Sequence, residues 1–591
     1  MARTRRTRPI NLRGRLYLVL CMLALASTAL VVRAVDLQVV RTDFYQEQGD
    51  ARYLRDIPIP VSRGTIFDRN GEPLAVSTPV QSIWANPPVV LQHADRIPEL
   101  AAALDLDADS LTRKLTQRSD REFYFLKRHL NPDDAEAVLA LDIPGVASQR
   151  EFRRYYPNGE VLAHVLGLTN IDDRGQEGLE LAFDDWLAGK PGSKRVIRDR
   201  LGHVVENVEL LHEAQPGRDL TLSIDRRIQY VAYRELKAAI LEHGAASGSM
   251  VVLDVPTGEI LAMVNQPSFN PNSRAYLDPS FRRNRAVTDV VEPGSTMKAF
   301  TISAALESGK WQPHTPVDTS PGTFALGGYL IRDVHNKGLL DVTGVVTHSS
   351  NVGAAKIALT LTNEHMYDVF HRFGFGEATG CGFPGESPGF LPISSSWGVV
   401  EKATLAYGYG LNVTPLQLAQ ANAALANGGR LRAPTFVKGA LNPDSAVVDP
   451  EIAAKVTAML ETVVSPEGSG LKAAIPNYRV AGKTGTSRRA VAGGYESRYV
   501  SLFAGFVPAS APRLVGVVVI NDPQGVYYGG LVSGPVFSKV MDDALRLLDV
   551  SPDNVQHWYS GAPDAGHAIG ADSPAPDYPP DAVNYVEGVP P

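Results

Sequence analysis

Residues 16–32 carry no charge and are mostly apolar, a run that spans a bilayer as one helix if Ala34 and Val35 are added and Arg33 snorkels to the interface. Arg3, Arg5, Arg6, Arg8, Arg13 and Arg15 precede it, so positive charge stays on the cytosolic side and the bulk of the chain is expected to be exported. A cleaved signal peptide is the competing reading, because Ala24-Leu25-Ala26 has the small-x-small form. That tripeptide lies within the apolar run rather than after it, which favours an anchor. Leu20 is too large for the residue expected before a lipidated Cys21.

Further on, the turn signal Pro293-Gly294 is followed by an apolar stretch over 297–306, which predicts a helix with Ser295 in its first turn. The runs 478–481, 502–507 and 514–520 read as strands, and their spacing suits antiparallel neighbours at a sheet edge. After Ser551 the pattern ceases: eight prolines, several acids and no lysine or arginine cannot bury a core, so an extended, disordered tail is expected.

Candidate chemistry sharpens this picture. Positions three apart share a helix face, so Ser295 and Lys298 meet on a stripe continued by Ile302 and Ala305, of which only the first two are polar. A lysine so placed is largely buried, and desolvation lowers its pKa toward the range in which an amine can take a serine proton. The serine needs that neighbour, because a free alkyl hydroxyl is a poor nucleophile. Ser-x-x-Lys alone is weak evidence, and it recurs at Ser469 and Lys472 in a loop composition that offers no rigid helix.

Two further elements change the weight of the motif: Ser349-Ser350-Asn351, and Lys483-Thr484-Gly485-Thr486. Ser349 and Asn351 diverge on a helix, so a tight connection must aim both into one cleft. Gly485 has no side chain, and a substrate backbone could lie against that strand and pair with it. Lys483, Thr484 and Thr486 supply positive charge and hydroxyls for an anionic peptide end. The ordered set resembles the S-x-x-K, S-x-N and K-T-G elements of penicillin-binding proteins and serine β-lactamases.

The resemblance then extends over nearly the whole chain, to the class B, high-molecular-mass penicillin-binding proteins. Arg63-Gly64-Thr65-Ile66-Phe67-Asp68-Arg69-Asn70-Gly71 is similar to the family's N-terminal signature, and Gly178-Leu179-Glu180 with Asp199-Arg200-Leu201-Gly202 to its second block. Thr221-Leu222-Ser223-Ile224-Asp225 resembles the entry to the transpeptidase domain, the segment from Asp254 through Gly258 to Ala262 its first hairpin, and Tyr407-Gly408-Tyr409-Gly410 a loop near the cleft. Asn351, where elongation enzymes usually carry aspartate, and the preceding His335-Asn336-Lys337-Gly338 favour the division-specific type over an elongation-type transpeptidase.

The resemblance implies a peptidoglycan D,D-transpeptidase that cross-links stem peptides through an acyl-enzyme on Ser295, releases terminal D-alanine and is blocked covalently by β-lactams. Lys298, Ser349, Asn351 and Lys483 would be catalytic with Ser295, and the backbone N–H groups of Ser295 and Thr486 would form the oxyanion hole. Ser350, Thr484, Gly485, Thr486, Tyr407 and Tyr409 would contact substrate or β-lactam. Implied partners are a SEDS-family, FtsW-type glycosyltransferase and other division proteins at the septum of a bacterial inner membrane. The rival readings are a division scaffold whose acylation is incidental and a serine β-lactamase. The latter is disfavoured because no Glu-x-x-Leu-Asn lies between Asn351 and Lys483.

Composition agrees. Two cysteines are too few for a disulfide framework, a net charge of −7 argues against nucleic acid, and neither metal-site spacing nor a cofactor motif is present. The expected fold is multidomain α/β. It comprises a cytoplasmic arm (1–15), a single transmembrane helix (16–35), a mixed α+β pedestal or dimerisation-type module (36–220), a serine β-lactamase-like transpeptidase domain with an antiparallel sheet flanked by helices (221–550), and a tail (551–591).

Overall fold

The computed structural model describes residues 12–42, 54–198, 204–273, 278–491 and 494–554. The arm before residue 12 and the tail after residue 554 lie outside them. The apolar run forms the helix Leu12–Val35, whose 24 residues extend about 36 Å at the usual rise. It is long and apolar enough to cross a membrane, and its side chains over 16–32 are exposed.

Two compact units follow from the contacts. One comprises Met1–Val61, Pro79–Phe152 and Lys190–Pro216; the other comprises Ser62–Thr78, Arg153–Gly189 and Gly217–Pro591. The boundary expected near residue 220 is thus joined by earlier crossings, because 62–78 and 153–189 pack with the residues that follow. In the first unit, the strands Leu54–Ile59, Gly192–Arg198 and Val204–His212 form an antiparallel sheet. The helices Ile97–Ala103, Ala108–Thr116 and Pro132–Leu139 share a separate core around Leu100, Leu111 and Val138.

The second unit is organised by a five-stranded antiparallel sheet in the order Ile260–Gln266, Ser247–Asp254, Leu514–Asn521, Gly494–Val507, Ala481–Val491. Side chains alternate between its faces. Val251, Leu253, Val515 and Val517 enter a core shared with the helices Lys298–Glu307 and Pro415–Ala426. Met250, Val252, Leu514 and Val518 enter another, shared with Arg226–Glu242 and Gly529–Leu547. Because both faces are covered, the inner strands read as continuous apolar runs. The strand expected over 478–481 begins only at Ala481, since Tyr478 closes a turn on Ile475 and donates its hydroxyl to the Val550 carbonyl at 2.6 Å.

The first signature block and the Gly178-Leu179-Glu180 part of the second meet inside the second unit; Asp199-Arg200-Leu201-Gly202 lies outside the described residues. Arg63 Nε and Arg154 Nε each lie 2.6 Å from a different Glu180 oxygen, and Arg63 Nη1 lies 2.6 Å from Asp184 Oδ1. Arg63, Arg154 and Glu180 are all buried. The glycine of the first block is equally constrained, because a Cβ on Gly64 would sit 1.9 Å from the Arg218 carbonyl oxygen. Removing the glutamate charge leaves Arg154 without its carboxylate partner and Arg63 with Asp184 alone, so Glu180→Gln is expected to lower unfolding stability by about 3–5 kcal/mol, read as a drop in the urea midpoint.

Candidate active site

Pro293 and Gly294 turn the chain into the nucleophile helix. Gly294 has φ 53°, a single 3₁₀ turn covers Gly294–Met297, and the α-helix Lys298–Glu307 follows. Ser295 and Lys298 therefore stand at the start of a helix buried on every side, and the lysine has no exposed surface at all.

Four oxygens surround the Lys298 amine. Nζ is 2.6 Å from the Ser349 carbonyl, 2.7 Å from Asn351 Oδ1, 3.0 Å from Ser295 Oγ and 3.2 Å from Ser349 Oγ. Asn351 Nδ2 donates to the Arg332 carbonyl at 2.9 Å, which fixes the amide so that its oxygen faces the lysine. The two nearest groups can only accept. A neutral amine has two hydrogens, and giving both to these acceptors leaves its lone pair for a hydroxyl hydrogen from Ser295. Burial and the adjacent Lys483 charge hold Lys298 well below the ordinary lysine range, against the pull of Asp333. An amine so placed is within reach of the serine proton.

Ser349 reaches the lysine through an uncommon backbone, with φ 57°. Ser350 caps the helix Asn351–Leu359 by accepting from Gly353 N at 2.9 Å. Asp333, which sequence reasoning missed, holds this turn: it accepts from Ser350 Oγ at 2.5 Å, Asn351 N at 2.6 Å and Val352 N at 2.9 Å. The Ser350 hydroxyl is thereby committed to structure, although the residue lines the cleft. Only the proximity of Asp333 to the quoted His335–Gly338 segment hinted at it, and sequence spacing does not foretell that pairing.

Across the cleft runs the edge strand Ala481–Val491. Thr484 and Thr486 line the cleft with Ser295, Ser349 and Ser350, enclosing a volume of about 270 Å³. Lys483 lies beneath, with Nζ 3.3 Å from both Thr484 O and Thr484 Oγ1, and burial pulls its pKa down to about 7.

Gly485 also lets the nucleophile turn rest on the strand, because a Cβ there would lie 2.8 Å from the Pro293 carbonyl oxygen. Ser469 differs from expectation. It lines the cleft with Oγ 2.8 Å from Thr484 Oγ1, while Lys472 does not join it there.

Tyr407 and Tyr409 lie elsewhere. Both rings are buried with Val352, Ala355 and Ala403, and neither lines the Ser295 cleft. The loop instead acts through its glycine: Gly294 N donates to Gly408 O at 3.1 Å, and a Cβ on Gly408 would sit 2.1 Å from Gly294 O. The substrate-contact role expected of the two tyrosines is therefore corrected to one of packing behind the turn.

Glu292, a second residue missed in the sequence, ties these pieces together. Its carboxylate accepts from Gly410 N at 2.9 Å and Tyr495 Oη at 3.1 Å, and its carbonyl accepts from Ser487 Oγ at 2.8 Å. Burial pushes its carboxyl up to about 7.

A buried serine–lysine pair beside an edge strand fits a serine acyltransferase. Residues 248–542 match the family described as the penicillin binding protein transpeptidase domain, and 58–222 match the penicillin-binding protein dimerisation domain. The chain is 45% identical over 547 residues to the probable peptidoglycan D,D-transpeptidase PbpC of Pseudomonas aeruginosa, covering 92% of this chain and 96% of that one. It is 43% identical over 541 residues to the peptidoglycan D,D-transpeptidase FtsI of Escherichia coli K12, covering 90% and 91%. Among solved structures, penicillin-binding protein 3 of Mycobacterium tuberculosis in complex with aztreonam matches with TM-score 0.65 and 28% identity over 84% of this chain and 98% of that one. The apo transpeptidase domain of Burkholderia pseudomallei penicillin-binding protein 3 matches with TM-score 0.52 and 43% identity over 56% and 97%. The chain belongs to the penicillin-binding protein transpeptidases.

Two outcomes test this geometry. Asp333→Ala frees three donors and lets the Ser349 turn relax, so acylation by a fluorescent penicillin should slow by roughly ten- to a hundredfold, as expected for an ångström-scale misplacement. Glu292 ionises near 4.5 as a free side chain but only near 7 in the fold, so its burial lowers stability as pH rises between those values. Glu292→Gln should therefore melt higher than the parent at pH 8, by about 2–3 kcal/mol at most, with no advantage at pH 4.

Proposed function

We infer that this protein is a peptidoglycan D,D-transpeptidase that works through an acyl-enzyme on Ser295 and is covalently inhibited by β-lactams. The observation that carries the reading is the Lys298 amine, buried and fixed 3.0 Å from Ser295 Oγ. Ser295 attacks the carbonyl of the penultimate D-alanine of a stem peptide while Lys298 takes its proton. Backbone N–H groups of Ser295 and Thr486 stabilise the oxyanion, each contributing about 3–4 kcal/mol. Ser349 returns a proton to the departing D-alanine amine, Asn351 orients Lys298, and Lys483 with Thr484 and Thr486 draws the substrate carboxylate. An amine from a neighbouring stem peptide then resolves the ester into a cross-link.

The site of action is the division septum, with the 16–35 segment as a membrane anchor, 36–220 as a pedestal and 221–550 outside the cytoplasmic membrane. A SEDS-family, FtsW-type glycosyltransferase is the proposed partner for glycan polymerisation. Asn351 in the second motif and the names of the FtsI relatives support division over elongation. Depletion should then give long filaments, whereas round cells would transfer the protein to elongation.

Labelling of membranes with a fluorescent penicillin tests the chemistry. Ser295→Ala should abolish the label and Ser469→Ala should retain it; the opposite result would move the nucleophile. Acylation needs Lys298 neutral and Lys483 charged, so its rate should rise with pH and fall again above about 7, where Lys483 loses its proton. Lys483→Arg, which keeps its charge, should shift that alkaline limb upward in a pH–rate profile.

A further inference from the structure

Beyond the catalytic residues, the cleft has an outer rim. Lys337 lies in the segment between the strands Tyr329–Arg332 and Leu339–Asp341, His348 caps the helix Val342–Thr347, and Glu467 follows the helix Pro450–Val463; all three line the same cleft as Ser295. The ends of those two helices are held together by a 2.5 Å hydrogen bond between Thr347 Oγ1 and Thr462 Oγ1. Burial first, then the Lys337 charge, keeps the His348 imidazole below its ordinary range, against the pull of Glu467.

The charges of this rim are not used by the fold. Lys337 and Glu467 are both exposed, and neither makes an ion pair among the described residues. Asp333, also at the rim, has both oxygens occupied by the Ser350 turn. The cleft mouth therefore offers one uncommitted cation and one uncommitted anion around His348, the residue before Ser349. That is the side on which the departing D-alanine takes up its proton. By microscopic reversibility the incoming amine must occupy the place the leaving amine vacates, so whatever enters past Ser349 passes between these two charges.

We propose that this rim is the acceptor subsite of the transferase and selects an α-amino carboxylate, with Lys337 holding the carboxylate and Glu467 the ammonium group before transfer. The inference rests on the transpeptidase reading. In the step it serves, the ammonium first releases a proton to solvent. The amine nitrogen then bonds to the acyl carbon, the ester bond to Ser295 Oγ breaks, and the second amine proton passes through Ser349 and Lys298 to Ser295, restoring the hydroxyl.

The experiment uses the full chain in detergent, a thioester of an acylated D-alanine as donor, and D-alanine or D-alaninamide as acceptor, and reads amide product against hydrolysis. The unaltered protein should favour D-alanine. Lys337→Met should reduce that preference about fivefold, the upper range for an exposed pair, with penicillin labelling within about twofold of the parent, and Lys337→Glu should reverse it. Glu467→Gln should lower transfer to both acceptors alike, since both carry an ammonium. A Lys337→Glu protein with the parental preference, or a Glu467→Gln protein with parental transfer, would overturn the subsite. Failure of the unaltered chain to transfer to either amine, despite penicillin labelling, would overturn the transferase reading and the subsite with it.

Discussion

A lysine amine sealed from water, with two oxygens that can only accept and two serine hydroxyls that can give, is the constraint on which the second unit is built. Burial makes the neutral amine the favoured form, and the Ser349 carbonyl and Asn351 Oδ1 fix where its lone pair points. Neither acceptor would be there if Ser349 relaxed from its left-handed backbone. That conformation is held from outside by the Asp333 carboxylate, which gathers three donors from the next three residues. The setting of the Ser349 turn therefore depends on an aspartate outside the Ser295–Lys298 pair.

The nucleophile turn is held by close backbone approach as much as by side chains. Gly408 presses against Gly294 from one direction and Gly485 against Pro293 from another, at distances that leave no room for a methyl group. Glu292 then clips the same turn to the Gly410 loop and to the strands bearing Ser487 and Tyr495. Buried Glu292, Lys298 and Lys483 each sit away from their ordinary ionisation range. Such groups reduce stability, and the two well-filled cores on the faces of the central sheet offset that cost.

Much of this was legible in the amino-acid order. The serine–lysine stripe, the Ser-Ser-Asn connection and the Lys-Thr-Gly-Thr strand are local patterns whose spacing carries direction, and the structure gathers Ser295, Lys298, Ser349, Asn351, Thr484 and Thr486 around one cleft with Lys483 beneath. The apolar run near the amino terminus and the continuous apolar strand over 514–520 were equally plain, because periodicity reports burial directly. Tyr407 and Tyr409 misled because a glycine-rich loop near a cleft does not reveal which way its rings turn. The approach of Pro293 to Gly485 was hidden for a similar reason, since an absent side chain does not say what packs against it.

The sequence by itself determined that a serine and a lysine meet one helical turn apart, since that relation lies within four consecutive positions. Only the tertiary structure decided what surrounds the lysine amine. The partners that aim and desolvate Lys298 come from segments 51–53 residues away and further, and Asp333, Glu292 and Lys483 gain their roles only when chain packing brings their charges into a space without water. The interleaving of 62–78 and 153–189 with the later unit is decided in the same way. Glu180 can neutralise Arg63 and Arg154 only where the fold has placed all three together.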